Sequence, residues 1–167
     1  MPKANAAEIF RRLRETFDDL ILELTEEGKD PAIYVKPEAI APVCDFLRTE
    51  PGLEFDCLSN LSGVDYPKKN AIQIVYHLYS YGRLHSVVLK VDAARDNPVV
   101  PTVENVWKTA NWQEREVYDL LGVDFSGHSD LRRIMMPEDW VGHPLRKDFV
   151  EPEEYHGINT RRESLLK

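Results

Sequence analysis

Apolar residues recur first at helical and then at strand spacing along the chain. Ile9, Leu13 and Phe17 fall four apart, which predicts a helix over residues 4–17 with one buried stripe. Residues 21–24 and 32–35 are short apolar runs suited to strands, separated by a polar turn containing Gly28. Pro37 opens a second predicted helix reaching about Leu47, with Ile40, Val43 and Leu47 inward, and Pro51 and Gly52 close it. Mixed alternation over residues 53–61 predicts a third strand. The clearest sheet signal is residues 71–79, where Ile72, Ile74, Tyr76 and Leu78 alternate with Gln73, Val75, His77 and Tyr79. Residues 84–91 return after Tyr81-Gly82-Arg83, so the pair is expected to form an antiparallel hairpin. Both strands carry apolar residues on both faces. One face is expected against the helices and the other partly under a further segment or a partner. Residues 92–101 read as a polar loop with two prolines, and residues 102–107 as a short helix capped by Thr102.

A last helix is predicted over residues 111–121. Asn111 is placed to cap it and Glu114 to close a reciprocal capping box, with Val117, Leu120 and Leu121 inward and Gly122 ending it. Beyond that point Gly127, Pro137, Gly142 and Pro144 are too closely spaced for another long helix. Yet Phe125, Leu131, Ile134, Met135, Met136, Trp140, Leu145 and Phe149 crowd the same stretch. A segment without regular structure buries that much apolar surface by lying on something else, which points to an arm resting on another protein. The expected architecture is α+β. Residues 1–121 form a two-layer domain with helices on one face of a mixed, largely antiparallel sheet, and residues 122–167 an extended irregular C-terminal arm.

Composition narrows the function. A formal net charge of −8 argues against a general binder of nucleic acid or anionic membranes. No apolar run is long enough to span a bilayer, and the first residues, with acids among the bases, are not expected to be a signal peptide. Two cysteines, Cys44 and Cys57, are too few for a disulfide framework or an iron–sulfur cluster and read as small hydrophobes in a reducing compartment.

Candidate chemistry is sparse. Glu114, Arg115, Glu116 and Asp119 could suggest an acid/base cluster. The spacing pairs Arg115 with Asp119 on one face but sets Glu116 apart from Glu114, so they read as solvated or interface charges. His77 and His85 lie on paired strands and could approach, but no compact ligand pattern surrounds any of the five histidines. No Rossmann glycine fingerprint, P-loop or nucleophile elbow is present. No catalytic, cofactor-binding or metal-binding residue is therefore expected. The arm instead carries the basic pairs Arg132–Arg133 and Arg146–Lys147, suited to fixing an extended segment by guanidinium–carboxylate pairing, and Trp140 as an aromatic anchor.

Residues 114–135 supply a more specific signal: Glu114-Arg115-Glu116, then Asp119, Leu120 and Leu121, then His128 and the pair Arg132–Arg133. This run, continued by MPEDWVGHPLRKDF from Met136 to Phe149, resembles the 30-kDa (C) subunit family of respiratory complex I, the proton-translocating NADH:quinone oxidoreductase. Ser129 departs from the family, whose members often have proline there, and this changes loop stiffness more than chemistry. Weaker echoes, FDCLSNLSGVDYP and IVYHLYS, extend the likeness upstream.

The resemblance implies a non-redox structural subunit of the peripheral arm, on the cytoplasmic side of the bacterial inner membrane. Its partners would be the large quinone-site (49-kDa, D) subunit and neighbouring peripheral-arm subunits. NADH, FMN, iron–sulfur clusters and quinone would belong to the assembled complex, and the chain is expected to end before the D-subunit fusion seen in some bacteria. The implied partner interface comprises Glu114, Arg115, Glu116, Asp119, His128, Arg132, Arg133, Trp140, His143, Arg146 and Lys147. A homologous accessory subunit of a membrane-bound nickel–iron hydrogenase or formate hydrogenlyase is the alternative. A free metal-dependent enzyme using His128, His143 and Asp139 is the remote one.

Overall fold

The computed structural model describes residues 4–26 and 30–160. Helix α1 (Ala6–Phe17) starts at Asn5, whose side-chain oxygen accepts from the Glu8 amide at 2.8 Å. That amide has no partner within the helix, so the cap supplies one. Ile9 and Leu13 are buried, and Phe17 meets Phe46 edge-on with ring centroids 5.6 Å apart. Strands β1 (Ile21–Thr25) and β2 (Ala32–Val35) pair antiparallel, and the expected Gly28 turn between them lies outside the described residues. Pro37–Ala39 forms a 3-10 turn leading into α2 (Ile40–Thr49), which buries Ile40, Val43, Cys44 and Leu47.

The third strand starts later than its apolar pattern suggests. Leu53 and Phe55 are fully buried, but Gly52 and Glu54 adopt positive φ and break the extended run, so β3 spans Cys57–Tyr66. The predicted hairpin forms from β4 (Ala71–Ser80) and β5 (His85–Ala94), in a register that sets Ile74 opposite Val91, Tyr76 opposite Leu89 and Leu78 opposite Val87. The five strands lie in the order β1-β2-β5-β4-β3, antiparallel except for β2 beside β5. Side chains alternate across a pleated strand, so Ile72, Ile74, Tyr76 and Leu78 all enter one core with residues of the helices. Val75, His77 and Tyr79 on the opposite face are half-buried. His77 and His85 do not meet: His77 pairs with Val88, while the buried His85 stacks on Phe55 and donates from Nε2 to the Leu53 carbonyl.

The loop expected over residues 92–101 is partly strand, because β5 runs on to Ala94 and β6 occupies Val99–Pro101. No α-helix forms over residues 102–107. Turns occupy the stretch, and Thr102 Oγ1 accepts from the Glu104 amide at 3.1 Å, closing a side-chain turn in place of a helix cap. Helix α3 spans Ala110–Leu121, and Gly122 ends it in the left-handed conformation, φ 75°. The chain then makes β7 (Asp124–Ser126), parallel to β6, so the arm begins with regular structure and buries Val123 and Phe125 in the domain core. A short hairpin of β8 (Glu154–Tyr155) and β9 (Ile158–Asn159) follows near its end. Among the described residues no helix is long and apolar enough to cross a membrane.

Candidate functional site: the arm and the helix that anchors it

At the start of α3 the expected capping box is not formed. Thr109 precedes the helix without a side-chain cap bond, and Asn111 lies inside it, donating from Nδ2 to Glu104 at 2.6 Å. Glu114 turns back to the preceding loop, accepting from the Val103 amide at 2.8 Å and the Thr102 hydroxyl at 2.5 Å. Glu104 accepts in addition from the Ser129 amide and hydroxyl, at 2.7 and 3.1 Å. His128 enters the same pocket with its side chain fully buried, its Nε2 3.7 Å from Glu104 and 3.9 Å from Glu114. A carbonyl only accepts, so Nε2 carries the hydrogen given to the Asn111 carbonyl at 3.1 Å, and Nδ1 accepts the Asp130 amide at 3.0 Å.

Burial pushes the Glu114 carboxyl up to about 7, against the opposing effect of its Thr102 and Val103 bonds and with the help of the neighbouring Glu104 charge. For Glu104 burial acts in the same direction, but the bonds from Asn111 and Ser129 outweigh it and hold the carboxyl below its ordinary value.

At the other end of α3 the arm satisfies what the helix leaves open. The last carbonyls of a helix have no internal partner, and its C-terminus favours positive charge. The Asp119 carbonyl accepts from Arg133 at 3.2 Å and from His143 Nδ1 at 2.9 Å. The Leu120 carbonyl accepts from the Leu145 amide at 3.0 Å, and the Leu121 carbonyl from Arg146 Nε at 2.7 Å. The Asp119 side chain, fully buried, takes the arm backbone directly: Oδ2 accepts from the amides of Ile134, Met135 and Met136 at 2.9, 2.7 and 2.9 Å. Burial would raise its pKa, but those amides and Arg133 prevail and hold it below the ordinary value.

A second clamp lies at the sheet end. Arg95 grips Asp65 through Nε and Nη2, at 2.7 and 2.9 Å, and reaches Asp148 of the arm at 2.6 and 3.1 Å. Asp65 also accepts the Lys147 amide at 2.8 Å. Fork-to-carboxylate pairing of this kind fixes direction as well as distance.

Glu114, Arg115 and Asp119 are therefore buried within the chain, and of the four α3 charges only Glu116 is exposed. Arg115 does not pair with Asp119. It lies 3.8 Å from Asp130, donates to the Arg132 carbonyl and stacks 4.8 Å from the ring centre of the exposed Trp112. Arg132 is exposed and holds Asp130, and the Lys147 side chain is exposed. Trp140 is half-buried, stacked on Phe149 and tilted against Tyr155 at centroid distances of 6.4 and 5.1 Å.

His128 and His143 reach α3 carbonyls eight residues apart, about 12 Å along the axis, and Asp139 is engaged by Tyr155 and His156. They do not converge, and among the described residues no group of three or more His, Cys, Asp or Glu side chains is arranged to hold a metal. Sequence reasoning missed Glu104, Asp65 and Arg95. Thr102 two residues before Glu104 was the only local hint, whereas Asp65 and Arg95 are brought together by the fold alone.

The match to known proteins spans this whole construction. The family described as respiratory-chain NADH dehydrogenase, 30 Kd subunit, matches residues 33–155, from β2 to β8. The chain belongs to this family. The NADH-quinone oxidoreductase C subunit of Roseiflexus sp. strain RS-1 is 46% identical, over 85% of this chain and 82% of that protein. The Chlorobium phaeobacteroides protein of the same name is also 46% identical, over 87% of this chain and 89% of its own length. Among solved structures, Nqo5, as its trypsin-resistant fragment 1–134, superposes with a TM-score of 0.59 at 27% identity, covering 72% of this chain and 97% of the fragment. A chain of the membrane-bound sulfane sulfur reductase, an archaeal respiratory membrane complex, superposes at 0.67 with 25% identity, over 96% of this chain and 97% of its own. Residues 114–135, which carry the resemblance in sequence, are thus part of the region of this family member where α3 and its arm lock together.

Proposed function

We propose that this chain is a non-redox structural subunit of the peripheral arm of proton-translocating NADH:quinone oxidoreductase, with no catalytic centre of its own. It braces the large quinone-site (49-kDa, D) subunit, and the assembly stands on the cytoplasmic side of the bacterial inner membrane. NADH, FMN, iron–sulfur clusters and quinone are assigned to other subunits; for the clusters this fits the two cysteines, Cys44 and Cys57, which sit apart in α2 and β3. The observation that carries the reading is the arm: its backbone is pinned to α3 while Met135, Val141, Leu145 and Val150 remain exposed by 55–86%. Apolar side chains held outward on a fixed backbone form a surface built to be covered.

The proposed division sets a domain, residues 1–121, against a partner-binding arm, residues 122–167; the left-handed Gly122 that ends α3 supports the break, while Val123 and Phe125 of the arm complete the domain core. Glu116, Arg132, Trp140 and Lys147 then contribute to the partner interface directly. Glu114, Arg115, Asp119, His128, Arg133, His143 and Arg146 contribute by shaping the arm. An accessory subunit of a nickel–iron hydrogenase or formate hydrogenlyase is not favoured, because the curated relatives carry the quinone-oxidoreductase name. Co-expression with the large subunit tests the proposal: the two are expected to purify together, and a chain that elutes alone contradicts it.

A further inference from the structure

The pocket at the start of α3 holds more titratable chemistry than a structural joint needs. Glu104 from the turn after β6, Glu114 from α3 and His128 from the arm are all withdrawn from solvent, and the imidazole Nε2 stands within 4 Å of both carboxylates. We infer that Glu104, Glu114 and His128 form a proton-linked latch that sets how the first turn of the arm, His128–Asp130, is docked on the domain.

The hydrogen bonds dictate how the latch works. His128 gives its Nε2 hydrogen to Asn111 and accepts at Nδ1, so it brings no hydrogen to either carboxylate in this arrangement. Glu104 is committed as an acceptor by Asn111 Nδ2, the Ser129 amide and the Ser129 hydroxyl, which favours its ionised form. A proton on Glu114 therefore leaves a single negative charge in the pocket. When that proton leaves to solvent, two carboxylates face each other across the imidazole in a poorly solvated space. Relief comes from turning the His128 ring so that Nε2–H leaves the Asn111 carbonyl for Glu114, which also withdraws Nδ1 from the Asp130 amide and so moves the backbone of residues 128–130.

The other groups around the pocket do not supply a counter-charge. Arg115 on α3 turns to Asp130 and the Arg132 carbonyl. The Cys44 thiol of α2 and the Tyr76 hydroxyl of β4 lie within electrostatic reach of Glu114 but are neutral, burial holding both pKa values well above ordinary. Asp130 titrates on the acid side of its usual range, held down by Arg132. Of the carboxyls around the pocket, Glu114 alone is pushed up to about 7, while Glu104 and Asp130 are held below their ordinary values.

The consequence for assembly rests on the arm being the partner-binding surface, but the test uses the isolated full chain, so its failure would leave that reading standing. NMR would follow the Glu114 side-chain carboxyl carbon together with the Ser129 and Asp130 amides as pH is raised. The expected result is one shared midpoint, near 7, with exchange protection of the two amides falling on the order of tenfold above it. In Glu114→Gln, which keeps the shape and cannot ionise, the amide inflection should vanish. Amides that stay flat while wild-type Glu114 titrates overturn the latch, as does an inflection that survives in Glu114→Gln. The wild-type comparison decides the matter even if the variant fails to fold.

Discussion

Arg133 holds Asp119 twice: its Nη1 lies 2.5 Å from the carboxylate Oδ1 and 3.2 Å from the same residue's backbone carbonyl. One arm residue thus neutralises a buried charge and caps an open helix end. The other carboxylate oxygen meanwhile collects three successive arm amides. Charge-assisted bonds to backbone amides are stronger than neutral ones, and a buried carboxylate would be costly without them.

Removing that carboxylate should free the arm without dissolving the domain. For Asp119→Ala, amide exchange at Ile134–Met136 is expected to accelerate on the order of 100-fold, in line with the few kcal/mol lost when a buried ion pair is broken. The β4–β5 amides should keep their protection. Unaltered exchange at Ile134–Met136 would show that the arm is held elsewhere.

Acid should act on the same anchors. Burial works to raise the Asp119 pKa but its amide partners and Arg133 hold it below 3.8, and the bond from Arg95 chiefly holds Asp65 down as well. A carboxylate with a depressed folded pKa stabilises fully above its unfolded value and loses that contribution as pH falls through the folded one. Arm protection should therefore be constant above about pH 5 on account of these two groups and decline below about pH 4. Exchange measured on the 134–136 and 145–149 peptides across that range checks it.

Two glycines report on two different contacts. A Cβ on Gly63 of β3 would stand 2.4 Å from Leu121 Cδ1 and 3.1 Å from Val117 Cγ1, both in the buried face of α3. Gly63→Ala should cost about 1–3 kcal/mol of global stability, readable as a lowered Tm. At Gly122 a Cβ would lie 2.6 Å from the His143 ring, and φ is +75°. Gly122→Ala should add about 1–2 kcal/mol of left-handed strain and push His143 off the Asp119 carbonyl, loosening the arm more than the sheet.

Local periodicity made the domain legible. The alternation Ile72, Ile74, Tyr76, Leu78 and the stripe Ile9, Leu13 correspond to the observed core because side-chain direction follows backbone period. Short-range polar chemistry was misread where tertiary partners competed for it. Glu114 and Asn111 are spaced for a capping box, yet Thr102, Val103 and Glu104 take them. The α3 charges read as solvated or interface charges because nothing local reveals that Arg133 returns to Asp119 from 14 residues away. The crowding of apolar residues after Gly122 had two causes that sequence alone does not separate: Val123 and Phe125 complete the core, while Val141 and Val150 face outward.

That outward set permits the most direct test of the arm as a partner-binding surface. Val141 and Val150 are exposed by 86% and 84%, so replacing both with aspartate should leave the folded chain and its Tm nearly unchanged. The affinity of the full chain for the large subunit would be measured for wild type and for Val141→Asp/Val150→Asp. The account predicts a loss on the order of 100-fold, as for charges placed in an apolar interface. Equal affinity, with the fold intact, would contradict it and place the partner on another face.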